Sequence, residues 1–319
     1  MAKIKRKIYI LIYFVITLTI VTTGYQTKQV SFNKINYSNN HSALLTMHAN
    51  TIDLHIPESS FNKIKIGIID TGFIPTIPFL NITWANSDFT PALSHHGIIV
   101  ASLIGAKKNN YSMGFQGVLP GVHIVAFNIP SNHFNSLELA HGINQLTNQH
   151  VDIINVSLST SVSTPELYKS IVRAIKHGIV IIASSGNTYN NIYNYPASYP
   201  LPGLISVGAL DKNLNILSST TVNRRVDVYA PGQAIHSINY NNTSHKYQQE
   251  IFSGTSVSTP YVTVLAALLK AKNPKLSPQE IAFVIQQTAL SYESEWWGQN
   301  EQIKLIDFRK TLNYRNEGN

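Results

Sequence analysis

Apolar residues in this chain fall in short runs from Ile64 through Lys212, separated by polar or glycine-bearing stretches. The run Ile66 to Ile69, in KIGIIDTGF, is strand-like and ends in Asp70, with Thr71 and Gly72 turning the chain away. Ile179 to Ala183 reads the same way and is followed by Ser184, Ser185 and Gly186. Segments between such runs read as helices; SHHGIIVASLIGA, Ser94 to Ala106, is one. Strands alternating with helices predict an α/β fold, a mainly parallel central sheet covered on both faces in three layers, α/β/α.

Further along, Val262 to Leu269 shows no polar face before Lys270, which predicts a helix buried inside a sizeable domain. Pro260 is expected in the first turn of that helix, where a missing N–H costs nothing. Ser277, Pro278 and Glu280 form a capping box that starts an amphipathic helix with Ile281, Val284, Ile285 and Thr288 on one face. No internal repeat or low-complexity segment interrupts the pattern.

Three positions carry chemistry. In FSGTSVSTPYV, Phe252 to Val262, Ser256 lies at a helix start, where backbone N–H groups face a developing anion. Asp70, at the end of a buried strand, points into the crevice where open α/β sheets place their sites. His96 opens another apolar helix and is a base near neutral pH. Aspartate, histidine, serine is one of the chain orders in which a catalytic triad occurs.

With these blocks the chain resembles the subtilisin-like serine proteases, the subtilases, from about Lys63 to its end. GFQGVLPGVHIVAFNI from Gly114, VDIINVSLS from Val151, GIVIIASSGN from Gly178, YPASYP from Tyr195, LISVGAL from Leu204 and DVYAPG from Asp227 follow in family order, and IKLIDFRKTL resembles the closing segment. The resemblance implies a subtilisin-like fold and a role for each residue. Ser256 would attack the scissile carbonyl, His96 would shuttle its proton, and Asp70 would orient the imidazole. Asn187 matches the oxyanion-hole asparagine. Ser157, Leu158 and Ser159 match the strand that pairs with substrate, and Asn194 falls at the base of the first specificity pocket. The chain departs from the family pattern at Ile98 and Ile99, at Ser102, and at Val257, Ser258, Thr259 and Tyr261.

Other readings stay open. Asp70 is also a natural turn aspartate, His95 stands beside His96, His123 reads as a strand residue, and Asn155 as a backbone-bonding one. DTG at Asp70 to Gly72 is shared with aspartic proteases, which need two carboxylates and hence a symmetric dimer here. A subtilase scaffold retained for binding, without catalysis, is the remaining alternative.

Composition sets the bounds. With 319 residues and 44% hydrophobic content the chain can bury one large core, and it has no cysteine, so disulfides and a lipoprotein anchor are excluded. Lys3, Lys5, Arg6 and Lys7 precede the apolar stretch Ile8 to Val21, as in a secretory signal. No small-x-small cleavage site is evident, and an uncleaved membrane anchor through residues 8–23 is the second reading. Residues 1–24 are thus a signal peptide or anchor, 25–60 a polar arm or short pro-segment, and 61–319 the catalytic domain. The formal charge of +8 loses the four basic residues of 1–24 and becomes +4, which with no basic run elsewhere argues against a nucleic-acid partner. The expectation is an exported, monomeric serine endopeptidase acting on polypeptides, secreted or held at the outer membrane face, with no cofactor for its chemistry. A narrower expectation is a dedicated processing role such as leader-peptide removal. Family members carry structural calcium, but no acidic cluster marks a site.

Overall fold

The computed structural model describes residues 40–49, 61, 63–89, 92, 94–130 and 132–315. Residues 1–35, with the signal-like stretch, lie outside the described residues. In chain order the elements are α1 (His41–Thr46), β1 (Lys65–Thr71), β2 (Ile82–Trp84), α2 (His96–Gly105), β3 (His123–Ile129), α3 (Ser136–Asn148), β4 (Ile153–Val156), α4 (Pro165–Lys176) and β5 (Val180–Ser184). There follow β6 (Leu204–Leu210), β7 (Val228–Pro231), β8 (Ile235–Asn241), β9 (Lys246–Phe252), α5 (Thr255–Lys272), α6 (Pro278–Thr288), β10 (Leu290–Trp296), β11 (Gln299–Leu305) and α7 (Phe308–Leu312).

Nine strands form one sheet in the order β10-β11-β7-β6-β5-β4-β1-β3-β2, and β8 and β9 form a separate hairpin. Every neighbouring pair in the large sheet is parallel except β10 with β11. The register explains the three layers. Ile66 and Ile68 of β1 lie beside Ile124 and Ala126 of β3, and all four enter one core with α2, α5 and α6. Ile69 lies beside Phe127 on one side and Val156 on the other, and these enter a second core with α3 and α4. A side-chain period of two in fully buried strands thus feeds both faces, as the apolar runs predict. This is the expected three-layer α/β/α architecture.

Strand β1 sits between β3 and β4, with β3 and the edge strand β2 on one side of it and β4 to β7 following in order on the other. That change of side is the switch point where open parallel sheets form a crevice at the carboxyl ends of their strands. Asp70 is in that position.

The stretch read as a polar arm contains α1. Leu44 and Met47 are buried in the core shared with α2 and α5. Asn40 pairs with the backbone of His236 through both halves of its amide, at 2.9 and 2.8 Å, the Met47 carbonyl accepts from Phe308 N–H at 3.0 Å, and His48 Nδ1 meets Asp307 Oδ2 at 2.9 Å. Among the described residues no helix is long and apolar enough to cross a membrane.

Candidate active site

The Asp70 carboxylate is fully buried, and its Oδ1 accepts the Thr71 N–H at 2.7 Å and faces His96 Nδ1 at 2.7 Å. One carboxylate oxygen thus both closes the turn at Thr71 and contacts the imidazole. A proton on Nδ1 donates to this oxygen, and Nε2 is then the ring's acceptor. The His96 side chain keeps 26% of its surface exposed. Burial draws its pKa down, the negative charge of Asp70 and the hydrogen bond to it draw it up, and the net shift is upward from 6.5. Because Asp70 is fully enclosed, its unpartnered Oδ2 included, a second chain's carboxylate has no access to it. The dimeric aspartic-protease arrangement does not fit this geometry.

Neighbouring His95 is buried and placed differently: Nδ1 lies 2.6 Å from the Gly72 carbonyl and Nε2 2.8 Å from Asn242 Oδ1. Both ring nitrogens of His95 are occupied, whereas only Nδ1 of His96 has a hydrogen-bond partner among the described residues. His123 opens β3 and meets Thr83 Oγ1 at 2.9 Å, and Asn155 is buried between Ser157 and Thr263.

Ser256 is the second residue of α5, half-buried, after Gly254 at φ 137°. A Cβ built on Gly254 would stand 2.9 Å from Asn187 Nδ2, so glycine is required both for the backbone turn and for the close approach. Pro260 corrects the sequence expectation: it lies in the second turn of α5, not the first. It cannot donate to the carbonyl four residues back, which is that of Ser256. The Ser157 hydroxyl takes that carbonyl instead, at 3.0 Å. A proline that would weaken an ordinary helix thus ties the serine to the end of β4.

Asn187 follows β5 at an exposed position. Its Oδ1 accepts the Thr255 N–H at 2.9 Å and the Thr255 hydroxyl at 3.2 Å, which leaves the Nδ2 donors turned away from Thr255. Leu158 and Ser159 continue from β4 with no backbone hydrogen bond among the described residues, while Thr160 pairs with Tyr195. Asn194 is buried and spends Nδ2 on the Ser185 carbonyl and on Thr221 Oγ1, both at 3.1 Å. It therefore stands against the loop that carries Asn187. Thr221 and Asn242 escaped the sequence reading; Thr221 sits in the polar run SSTTVN, which carries no motif or period that could have found it.

The departures from the family pattern are interior. Ile98, Ile99 and Tyr261 are core residues, and Ser102 returns its hydroxyl to the Ile98 carbonyl at 2.6 Å. Among the described residues no group of three or more His, Asp or Glu could hold a metal ion.

A mainly parallel sheet with an Asp–His pair at the carboxyl end of one strand, and a serine in the first turn of an uncapped helix packed against the same sheet, defines the class: an α/β protein with its candidate site at the carboxyl ends of its strands. The profile of the subtilase family matches residues 62–313. The thermostable alkaline protease of Halalkalibacterium halodurans is 33% identical over 235 residues, covering 72% of this chain and 62% of that protein. Subtilisin DY of Bacillus licheniformis is 30% identical over 239 residues, 71% of this chain and 84% of its own. The prenylagaramide maturation protease PagA is similar in structure, with a TM-score of 0.65 at 23% identity over 79% of this chain and 93% of that one. The chain belongs to the subtilase family of serine endopeptidases, whose chemistry needs no cofactor.

Proposed function

We propose that this chain is an exported serine endopeptidase that cleaves polypeptides through Asp70, His96 and Ser256. The observation that carries the reading is the 2.7 Å contact between Asp70 and His96 Nδ1, which fixes the tautomer that a general base needs. Ser256 Oγ attacks the scissile carbonyl carbon, and its proton passes to His96 Nε2. The oxyanion that forms is met by the Ser256 N–H and by Asn187 Nδ2. Collapse breaks the C–N bond as His96 returns the proton to the leaving amine, which leaves an acyl-enzyme on Ser256. Water then reverses the sequence, with His96 again as base. The unpaired backbone at Leu158 and Ser159 gives an extended substrate an edge to pair with.

Export rests on the basic-then-apolar start of the chain. The packing of α1 favours a mature chain that begins before Asn40, since removing Leu44 and Met47 would open the core. A dedicated processing role is supported by size and by likeness to a protein described as a maturation protease. N-terminal sequencing of exported wild type and Ser256→Ala tests these points together. Self-processing ahead of Asn40 in wild type only is expected, while a start beyond Ala49 contradicts the assignment of α1. Rapid digestion of unrelated denatured proteins would rule out the processing role.

A further inference from the structure

We infer that Thr221 is a positioning residue for Asn187, holding from beneath the loop that presents the amide donor; this rests on the reading of Asn187 as that donor. Thr221 lies far along the chain from the loop and is fully buried. Its N–H donates to the Gly186 carbonyl at 2.8 Å, and its hydroxyl oxygen accepts the Thr188 N–H at 3.2 Å. Thr221 therefore holds both neighbours of Asn187 in the chain. The same oxygen accepts Asn194 Nδ2 at 3.1 Å and lies 2.6 Å from Thr188 Oγ1.

Valence settles the directions. A hydroxyl accepts two hydrogen bonds and donates one. Two N–H groups already fill the acceptor sites of Thr221, so its proton goes to Thr188 Oγ1. Thr188 in turn donates to Asn190 Oδ1 at 2.7 Å. Thr221 and Asn194 are buried within the network, while Thr188 and Asn190 lie at its outer end. Gly186, at φ 105°, approaches so closely that a Cβ there would lie 2.4 Å from Asn194 Nδ2 and 3.0 Å from Thr221 Oγ1. The Asn187 loop is therefore seated on this cluster. Oxyanion donors act only when they are already in place, within about 2.7–3.1 Å of where the charge develops.

The test is a cycle on the full chain, following cleavage of a peptide p-nitroanilide. Thr221→Val keeps the shape and removes the hydroxyl. We expect kcat to fall about 10- to 100-fold with KM within about twofold, the size of loss that a small misplacement of a positioned group produces. Thr221→Ser should restore most of it. In an Asn187→Ala background Thr221→Val should cost nothing more. An equal loss in both backgrounds would make Thr221 merely structural and overturn the inference while leaving Asn187 its role. If Asn187→Ala alone leaves kcat unchanged, or wild type cleaves nothing, the functional reading falls and takes the inference with it. Thr188→Ala probes the same link at an exposed position should Thr221→Val misfold: a smaller kcat loss that vanishes without Asn187 is expected, and no loss contradicts the clamp.

Discussion

Two sets of helices in this molecule begin in opposite ways. On the structural side, α3 is capped by Asn135, whose side chain accepts from Leu137 and Glu138, α4 by Thr164 with Pro165 at its first position, and α6 by the Ser277–Glu280 capping box. Each has a glutamate in its first turn. Helices α2 and α5, which carry His96 and Ser256 in their first turns, have no side-chain cap and no acidic residue there. A local cap would occupy the N–H groups that an oxyanion needs, and a carboxylate there would repel it. The first free N–H of α5, that of Thr255, is met from afar by Asn187 Oδ1, and the proposed mechanism assigns the next, that of Ser256, to the oxyanion. Among the longer helices, α3, α4 and α6 satisfy their starts locally, while α2 and α5, to which the proposed chemistry falls, leave them open; six-residue α1, also uncapped, is the exception.

That contrast can be broken most forcefully at Ser256. Ser256→Ala should lower kcat by about a millionfold, the size measured when the nucleophile is removed from a related enzyme. An unchanged rate of peptide cleavage would remove α5 from the chemistry. Asp70→Asn should cost on the order of ten-thousandfold in kcat, since the imidazole loses its tautomer. Its pH profile sharpens the point. Because the His96 pKa is raised, kcat/KM of wild type should climb with pH through a midpoint above 6.5. Without Asp70 only burial remains, so the midpoint should move downward. The corresponding stability increment is fully present below pH 6.5 and is lost as pH rises through the folded-state value, so His96→Ala should destabilise most on the acid side. Asn187→Ala should lower kcat by about a hundred- to a thousandfold with little change in KM. The smallest effect belongs to the other set: Ser277→Ala should reduce stability by about 1 kcal/mol in denaturant titration and leave kcat alone.

The elements carrying strong patterns were legible. Buried strands announced themselves as apolar runs, the sheet as their alternation with helices, and the capping box of α6 as Ser-Pro-x-Glu. Asp70 and His96 were legible because a strand end and a helix start are places where side chains leave the core. What escaped depends on contacts between distant segments. Pro260 reads as a first-turn proline until the start of α5 is seen at Thr255, and its compensation comes from Ser157. The stretch 25–60 is rich in polar residues, yet Leu44 and Met47 within it reach the core, which a six-residue helix cannot signal by period. Thr221 gives no sign at all, because its hydroxyl acquires meaning only beside Thr188 and Asn194.

The most direct measurement of the triad is the rate and site at which a serine-directed phosphonate bonds to the protein, read by peptide mass spectrometry across pH. One adduct, on Ser256, should form in wild type with a rate that follows deprotonation of His96, and should all but vanish in His96→Ala. An adduct on another residue, or equal labelling of Ser256 without the imidazole, would contradict a serine activated by His96.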